Sequence, residues 1–142
     1  MKVKDILQIK GSDVSTVPRD RPIMDVVTQL TEQKIGAVVV VDNAGKVTGI
    51  LSERDIVGAM ARHGADIAKL TAADLMTAEV ETCNLEQSID VVMTKMTHGR
   101  FRHMPVIKDG SLAGLVSIGD AVKGRIQDLE HEREALKSYI AS

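Results

Sequence analysis

Two short phrases hold the residues best suited to chemistry. Gly49-Ile50-Leu51-Ser52-Glu53-Arg54-Asp55 and Gly114-Leu115-Val116-Ser117-Ile118-Gly119-Asp120 both read Gly, two aliphatics, Ser, two variable residues, Asp. In each, an apolar strand runs straight into a hydroxyl and a carboxylate where a helix should begin. A carboxylate at a strand's rim accepts both hydroxyls of a sugar diol at once. A hydroxyl beside the free N–H groups of a helix start suits a phosphate. The same Ser-x-x-Asp spacing also makes a helix cap that needs no ligand. One copy would signify a cap and no more. Two copies, 65 positions apart, signify a duplicated unit.

A second group is one-sided. Arg100, Arg102 and His103 precede Met104-Pro105-Val106-Ile107, whereas the matching stretch of the first half offers only Gly36 and Ala37. A guanidinium meets phosphate oxygens at two points, and an imidazole can join it. Pairing with surface Glu is the alternative for these cations. Arg54 beside Asp55 could also reach a phosphate, and Gly119 at the matching place cannot. Cys83, the only cysteine, aligns with Val17 in a strand, and no motif sets a base beside it, which argues against a nucleophile.

Composition narrows the classes. The chain has 142 residues, 44% hydrophobic and 27% charged, with a net charge of −2. So near-neutral a balance gives no footprint for DNA or for a polybasic membrane anchor. Phe101 and Tyr139 are the only aromatic residues, too few for base-stacking surfaces. A single cysteine excludes an intramolecular disulfide and a cysteine-built zinc site. With no apolar leader at Met1-Lys2-Val3-Lys4-Asp5 and no spanning run, a soluble, cytoplasmic protein is expected.

The elements that must position these residues repeat as well. Val3 to Leu7 reads as a short turn, echoed by Ala73-Asp74-Leu75-Met76. Val14-Ser15-Thr16-Val17 and Val80-Glu81-Thr82-Cys83 read as strands. Ile23, Val26, Val27 and Leu30 fall at helical spacing after Pro22 and before Gly36; Ile89, Val92, Met93 and Met96 do so after the cap Ser88. Ala37–Val41 is wholly apolar and should lie centrally in a sheet. It turns through Asp42-Asn43-Ala44-Gly45 into Lys46–Leu51, as the His103 strand turns through Lys108-Asp109-Gly110 into Ser111–Val116. Each half is therefore β-α-β-β-α: residues 1–69 with a connector from His63 to Leu70, and residues 70–142. At about 60 residues neither buries enough apolar surface alone, so the two should pack through their sheets in an α+β fold. The last helix runs longer than its counterpart. Val122, Ile126, Leu129, Leu136 and Ile140 mark a heptad-like seam broken by Arg133, which points to an oligomer contact.

This arrangement resembles a tandem pair of cystathionine-β-synthase (CBS) domains, a Bateman module. The resemblance rests on the duplicated unit, its Gly-aliphatic-aliphatic-Ser-x-x-Asp junctions, and the phrases Lys4-Asp5-Ile6-Leu7, Ala73-Asp74-Leu75-Met76-Thr77, Ser52-Glu53-Arg54-Asp55 and Arg102-His103-Met104-Pro105-Val106. It covers Val3 to about Ile126 and is nearest the small stand-alone bacterial members, which lack a fused enzyme. It implies a regulatory, non-catalytic homodimer that binds an adenine nucleotide (AMP, ADP, ATP or NAD) in clefts between the halves and acts on a partner protein. It also implies that Asp55 and Asp120 hold ribose while Ser52 and Ser117 meet phosphate or sugar. Adenine would be clamped and read by backbone at Val14, Thr16, Val17, Ala37 and Val38, and at Val80, Thr82, Met104 and Pro105. The uneven flanks imply two unequal sites, the one near Arg100, Arg102 and His103 favouring more phosphate. Two other readings stay open: a dimerisation scaffold with vestigial clefts, and an enzyme.

Overall fold

The computed structural model describes residues 1–141. Its elements run α1 (Val3–Lys10), β1 (Thr16–Pro18), α2 (Ile23–Gln33), β2 (Ala37–Val41), β3 (Val47–Ser52), α3 (Glu53–His63), a 3-10 helix (Gly64–Lys69), α4 (Ala72–Leu75), α5 (Ile89–Gly99), β4 (His103–Lys108), β5 (Ser111–Ser117) and α6 (Ile118–Ala141). The mixed α+β architecture and the long last helix match the expectation from sequence. The chain forms two compact units. One comprises Asp13–Glu81 and Asp109–Leu112; the other comprises Met1–Ser12, Thr82–Lys108 and residues 113–141.

In the first of these units the sheet order is β1-β2-β3. β1 runs parallel to β2, Thr16 opposite Val39, and β2 runs antiparallel to β3, Ala37 opposite Ser52. Val38, Val39 and Val40 are fully buried, as their unbroken apolar run requires. Around Val38 and Val40 gather Val17, Ile23, Val26, Leu30, Leu51, Ile56 and Ala59. The connector contributes as well, since Ile67 of the 3-10 helix joins this core.

The second repeat pairs β4 with β5 in a two-stranded hairpin. The expected strand Val80–Cys83 shrinks to a single parallel bridge, Cys83 to Val106. Pro105 supplies the reason. In the first repeat the Val39 N–H donates to the Ser15 carbonyl at 3.1 Å. Pro105 stands at the matching position and has no N–H to give. Pairing survives only beyond it, where the Cys83 N–H donates to the Pro105 carbonyl at 3.0 Å and the Ile107 N–H to the Cys83 carbonyl at 2.8 Å. The turn is the two-residue kind expected from Asp-Gly: Asp109 and Gly110 both take positive φ, 51° and 78°.

Two further expectations need correcting. Val3–Lys10 is a helix of 8 residues rather than a turn. The second helix ends not at Gly36 but at Lys34, which takes the left-handed conformation (φ 55°) and donates its N–H to Leu30 and Thr31 carbonyls. Arg100 closes α5 in the same way, at φ 56°. A side chain in that region costs about 1 kcal/mol relative to glycine. Lys34→Gly should therefore raise stability by about 1 kcal/mol, read as a higher urea midpoint. An unchanged or lower midpoint would show that the left-handed turn carries no strain.

The short helices are exchanged between the repeats. α4 follows the first repeat and covers it, with the Ile23 N–H donating to Leu70 and the Ala72 N–H to Arg21. α1, at the start of the chain, covers the second repeat, with Ile89 donating to Met1 and Val3 to Gln87. The repeated glycines receive these helices. A Cβ on Gly49 would lie 2.4 Å from the Met76 sulfur, and one on Gly114 would lie 2.7 Å from a Leu7 methyl. Val3, Ile6 and Leu7 thus complete the core around Ile89, Val92, Met96, Met104, Val106 and Val116.

Candidate functional site

Each Ser-x-x-Asp phrase ends an antiparallel strand and opens a helix, so both side chains stand at the strand's rim. At the first, the Asp55 Oδ2 accepts the Ser52 N–H at 2.9 Å and the Ser52 hydroxyl at 3.1 Å, and the Asp55 N–H donates to Ser52 Oγ at 3.4 Å. At the second, Asp120 Oδ2 accepts the Ser117 N–H at 2.9 Å while the Asp120 N–H donates to Ser117 Oγ at 3.1 Å. Both are capping boxes. In both, a single carboxylate oxygen does the capping. Oδ1 of Asp55 and Oδ1 of Asp120 make no hydrogen bond among the described residues. Capping and ligand contact are therefore compatible: one oxygen fixes the helix start and the other stays available to hydroxyl donors at a half-buried rim.

The neighbouring strand reaches both rims alike. The Glu53 N–H donates to the Gly36 carbonyl at 3.0 Å, and the Ile118 N–H to the Arg102 carbonyl at 2.8 Å. Gly36 and Arg102 are thus structural counterparts, as are Ala37 and His103. Ala37 lies directly opposite Ser52. This brings Ala37, Ser52 and Asp55 together in one unit, and Arg102, His103, Ser117 and Asp120 in the other. The Arg102 side chain is exposed, and His103 is half-buried. Arg54 lies exposed on the first turn of α3. Arg100 is exposed at the C-cap of α5, a position fixed by its backbone role.

Val17, Val38, Met104 and Pro105 are buried, with the first three at 1% exposure or less, so their side chains fill the core. Pro105 has no N–H, and its carbonyl already accepts from Cys83. Thr16 is exposed on β1, and Thr82 is half-buried beside the lone Cys83 bridge. Cys83 itself is buried; burial, only partly opposed by Lys95, pushes its thiol up to about 11. A thiol so protonated at neutral pH is a poor nucleophile.

Sequence reasoning missed one residue. Lys10 Nζ lies 2.7 Å from Asp120 Oδ2 and 2.9 Å from the Leu115 carbonyl. The cause is helix length. α4 stops at Leu75, where Met76 turns extended, and Thr77 then pairs through its backbone with Ile50. α1 continues for one more turn to Lys10 before Gly11 stops it. That turn delivers an ammonium to the second rim, and the residue matching Lys10 in the other repeat is Glu79. Asp55 makes no ion pair among the described residues. Partial burial works against the Asp120 charge, but the Lys10 and Ser117 hydrogen bonds outweigh it and hold the carboxyl below the usual carboxylate range.

Comparison with known proteins places this geometry. The model of the CBS domain matches twice, over residues 3–62 and 72–126. The chain belongs to the CBS-domain family. Its relatives include the mitochondrial CBS-domain-containing protein CBSX3 of Arabidopsis thaliana, 32% identical across 97% of this chain and 71% of that protein. A crystal structure of a CBS-domain protein of Agrobacterium tumefaciens is 47% identical, covering 88% of this chain and 99% of that one at a TM-score of 0.86. The CBS domain pair of protein MJ0100, solved with 5'-methylthioadenosine and S-adenosyl-L-methionine, is 28% identical over 90% of this chain and 98% of that one, at a TM-score of 0.78. These relatives are named as CBS-domain proteins rather than as enzymes. No helix among the described residues is long and apolar enough to cross a membrane.

Proposed function

We propose that this CBS pair is a regulatory module whose Ser-Asp rims bind an adenosine-containing ligand, and that the ligand changes how the chain presents itself to a partner protein. The observation that carries the reading is the split use of each carboxylate, one oxygen on the helix cap and the other unengaged, occurring twice at matching rims. The adenosine ligands bound by the MJ0100 pair support the ligand class. Within that class we favour an anionic nucleotide (AMP, ADP, ATP or NAD), because Lys10, Arg102 and Arg100 belong to the same unit as Asp120. Regulation requires the ligand to bind two states unequally. The Lys10–Asp120 contact offers the means, since a ligand on Asp120 must share the carboxylate that tethers α1.

The module is read as a cytoplasmic homodimer. Val57 and Met60 on α3, and Val122 and Ile126 on the corresponding helix α6, are apolar and exposed, which favours burial against a second copy. Isothermal calorimetry with AMP, ATP, NAD, S-adenosylmethionine and 5'-methylthioadenosine tests the ligand reading. Micromolar binding of at least one anionic nucleotide is expected. Silence from all five at millimolar concentration would leave the dimeric scaffold as the better reading.

A further inference from the structure

We infer that the exposed seam of α6, from Val122 onward, pairs with its copy in a second chain as a parallel two-stranded coiled coil, an orientation that rests on the homodimer reading above and deepens it. Val122, Leu129 and Leu136 recur every seven residues, with Ile126, Arg133 and Ile140 at the complementary core positions. The four aliphatic residues furthest along this seam, Ile126, Leu129, Leu136 and Ile140, are all exposed, and Val122 is 41% exposed. The buried flank of the same helix is different: Ala121 and Gly124 face inward, and Asp128 binds the N-terminal amine at 2.7 Å. At 100° per residue the seam lies well round the helix from that flank, so a partner helix meets no part of its own chain's core.

Charge selects the second copy and its direction. In a parallel pair each residue just before a core position faces the residue five further along the partner. Here Arg125 would face Glu130, and Glu132 would face Lys137, each pair occurring twice. Glu132 also flanks the partner's Arg133, the one charge inside the seam. Antiparallel pairing with all layers overlapped does the reverse: Glu130 meets Glu130, Glu132 meets Glu132, and Lys123 meets Lys137. Sliding that arrangement by one heptad restores opposite charges but leaves Leu136 and Ile140 uncovered. Glu130, Glu132, Arg133 and Lys137 make no ion pair among the described residues, so these charges are uncommitted within the chain, whereas Arg125 Nε already lies 3.8 Å from Asp90 Oδ1.

Charge reversal in the full chain, read by fluorescence-detected sedimentation, tests the orientation. Glu132→Lys and Lys137→Glu should each weaken the dimer about tenfold, and the double variant should return to within about twofold of the parent. Leu136→Cys should also oxidise readily to a covalent dimer, because a parallel layer sets the two residues side by side. A dimer indifferent to both reversals would overturn the seam. Tightening by Lys137→Glu, or loss without rescue in the double variant, would overturn the parallel direction. A parent chain that stays monomeric at about 100 µM, a concentration at which a dimer of even 10 µM Kd would be mostly assembled, would instead overturn the homodimer reading itself.

Discussion

Replacing Lys10 by methionine is expected to change ligand affinity with a sign set by the ligand's charge. The ammonium sits 2.7 Å from Asp120 Oδ2 and leaves Oδ1 unengaged. A ligand held by Oδ1 therefore binds beside a fixed positive charge. Lys10→Met should weaken AMP about three- to tenfold, a range suited to a charge contact that is partly screened by solvent. It should leave neutral adenosine and 5'-methylthioadenosine nearly unchanged. It should strengthen S-adenosylmethionine, whose sulfonium the lysine repels. Calorimetry of the three classes on the same variant reads the pattern directly. A uniform loss across all three would make Lys10 a structural strut and no part of the site.

Asp120→Asn is the companion variant. Losing a charged hydrogen-bond acceptor costs about 1.5–3 kcal/mol, so every adenosine ligand should weaken by roughly ten- to a hundredfold. The amide oxygen can still accept the Ser117 N–H, which keeps the helix start intact. The carboxyl also leaves a titration signature. Its folded value is held down, so the stability it contributes is present above its unfolded value and is lost as pH falls through the folded one. In Lys10→Met the Asp120 titration, followed by NMR, should move upward.

Gly49→Val should destabilise the chain by about 2 kcal/mol, the middle of the range for overfilled cores. The new Cβ would stand 2.4 Å from the Met76 sulfur and 3.1 Å from Met76 Cβ, so the side chain cannot simply swing aside. Adding Met76→Ala should recover part of the loss in urea melts, because the two residues share one space. If Gly49→Val were neutral, or Met76→Ala only deepened the loss, then α4 would not seat on that glycine. Gly114 and Leu7 form the equivalent contact in the other unit.

Much of this was legible in one dimension because it is local. The Ser-x-x-Asp junctions declare a strand ending in a capped helix, Asp109-Gly110 declares a tight hairpin, and Ser88 accepts the Val91 N–H as an N-cap should. Pro105 could have been read as well, since a proline on the central strand removes the donor that a parallel neighbour needs. The exchange of α1 could not. Lys4-Asp5-Ile6-Leu7 precedes the first repeat just as Ala73-Asp74-Leu75-Met76 precedes the second, and nothing in either phrase says which repeat it covers. Lys10 stayed hidden for the same reason: its partner Asp120 lies 110 residues away. Sequence assigns the rims readily, but only tertiary packing decides which cations reach them.

The exchange has a consequence for the order of events on the ribosome. Helix α1 finds its partners far downstream of itself, with the Met1 amine bound to Asp128, 127 positions on. Until α5, β4, β5 and α6 have emerged, Val3, Ile6 and Leu7 have no core to enter. Closing so long a span costs chain entropy before any contact repays it, and such contacts slow folding. The unit built from Asp13–Glu81, needing only the four-residue tip Asp109–Leu112 from later in the chain, can assemble while synthesis continues. The half that holds Lys10 and Asp120 cannot. Its rim gains the Lys10 ammonium only once the chain has been made as far as Asp120, so this rim assembles after the one at Asp55.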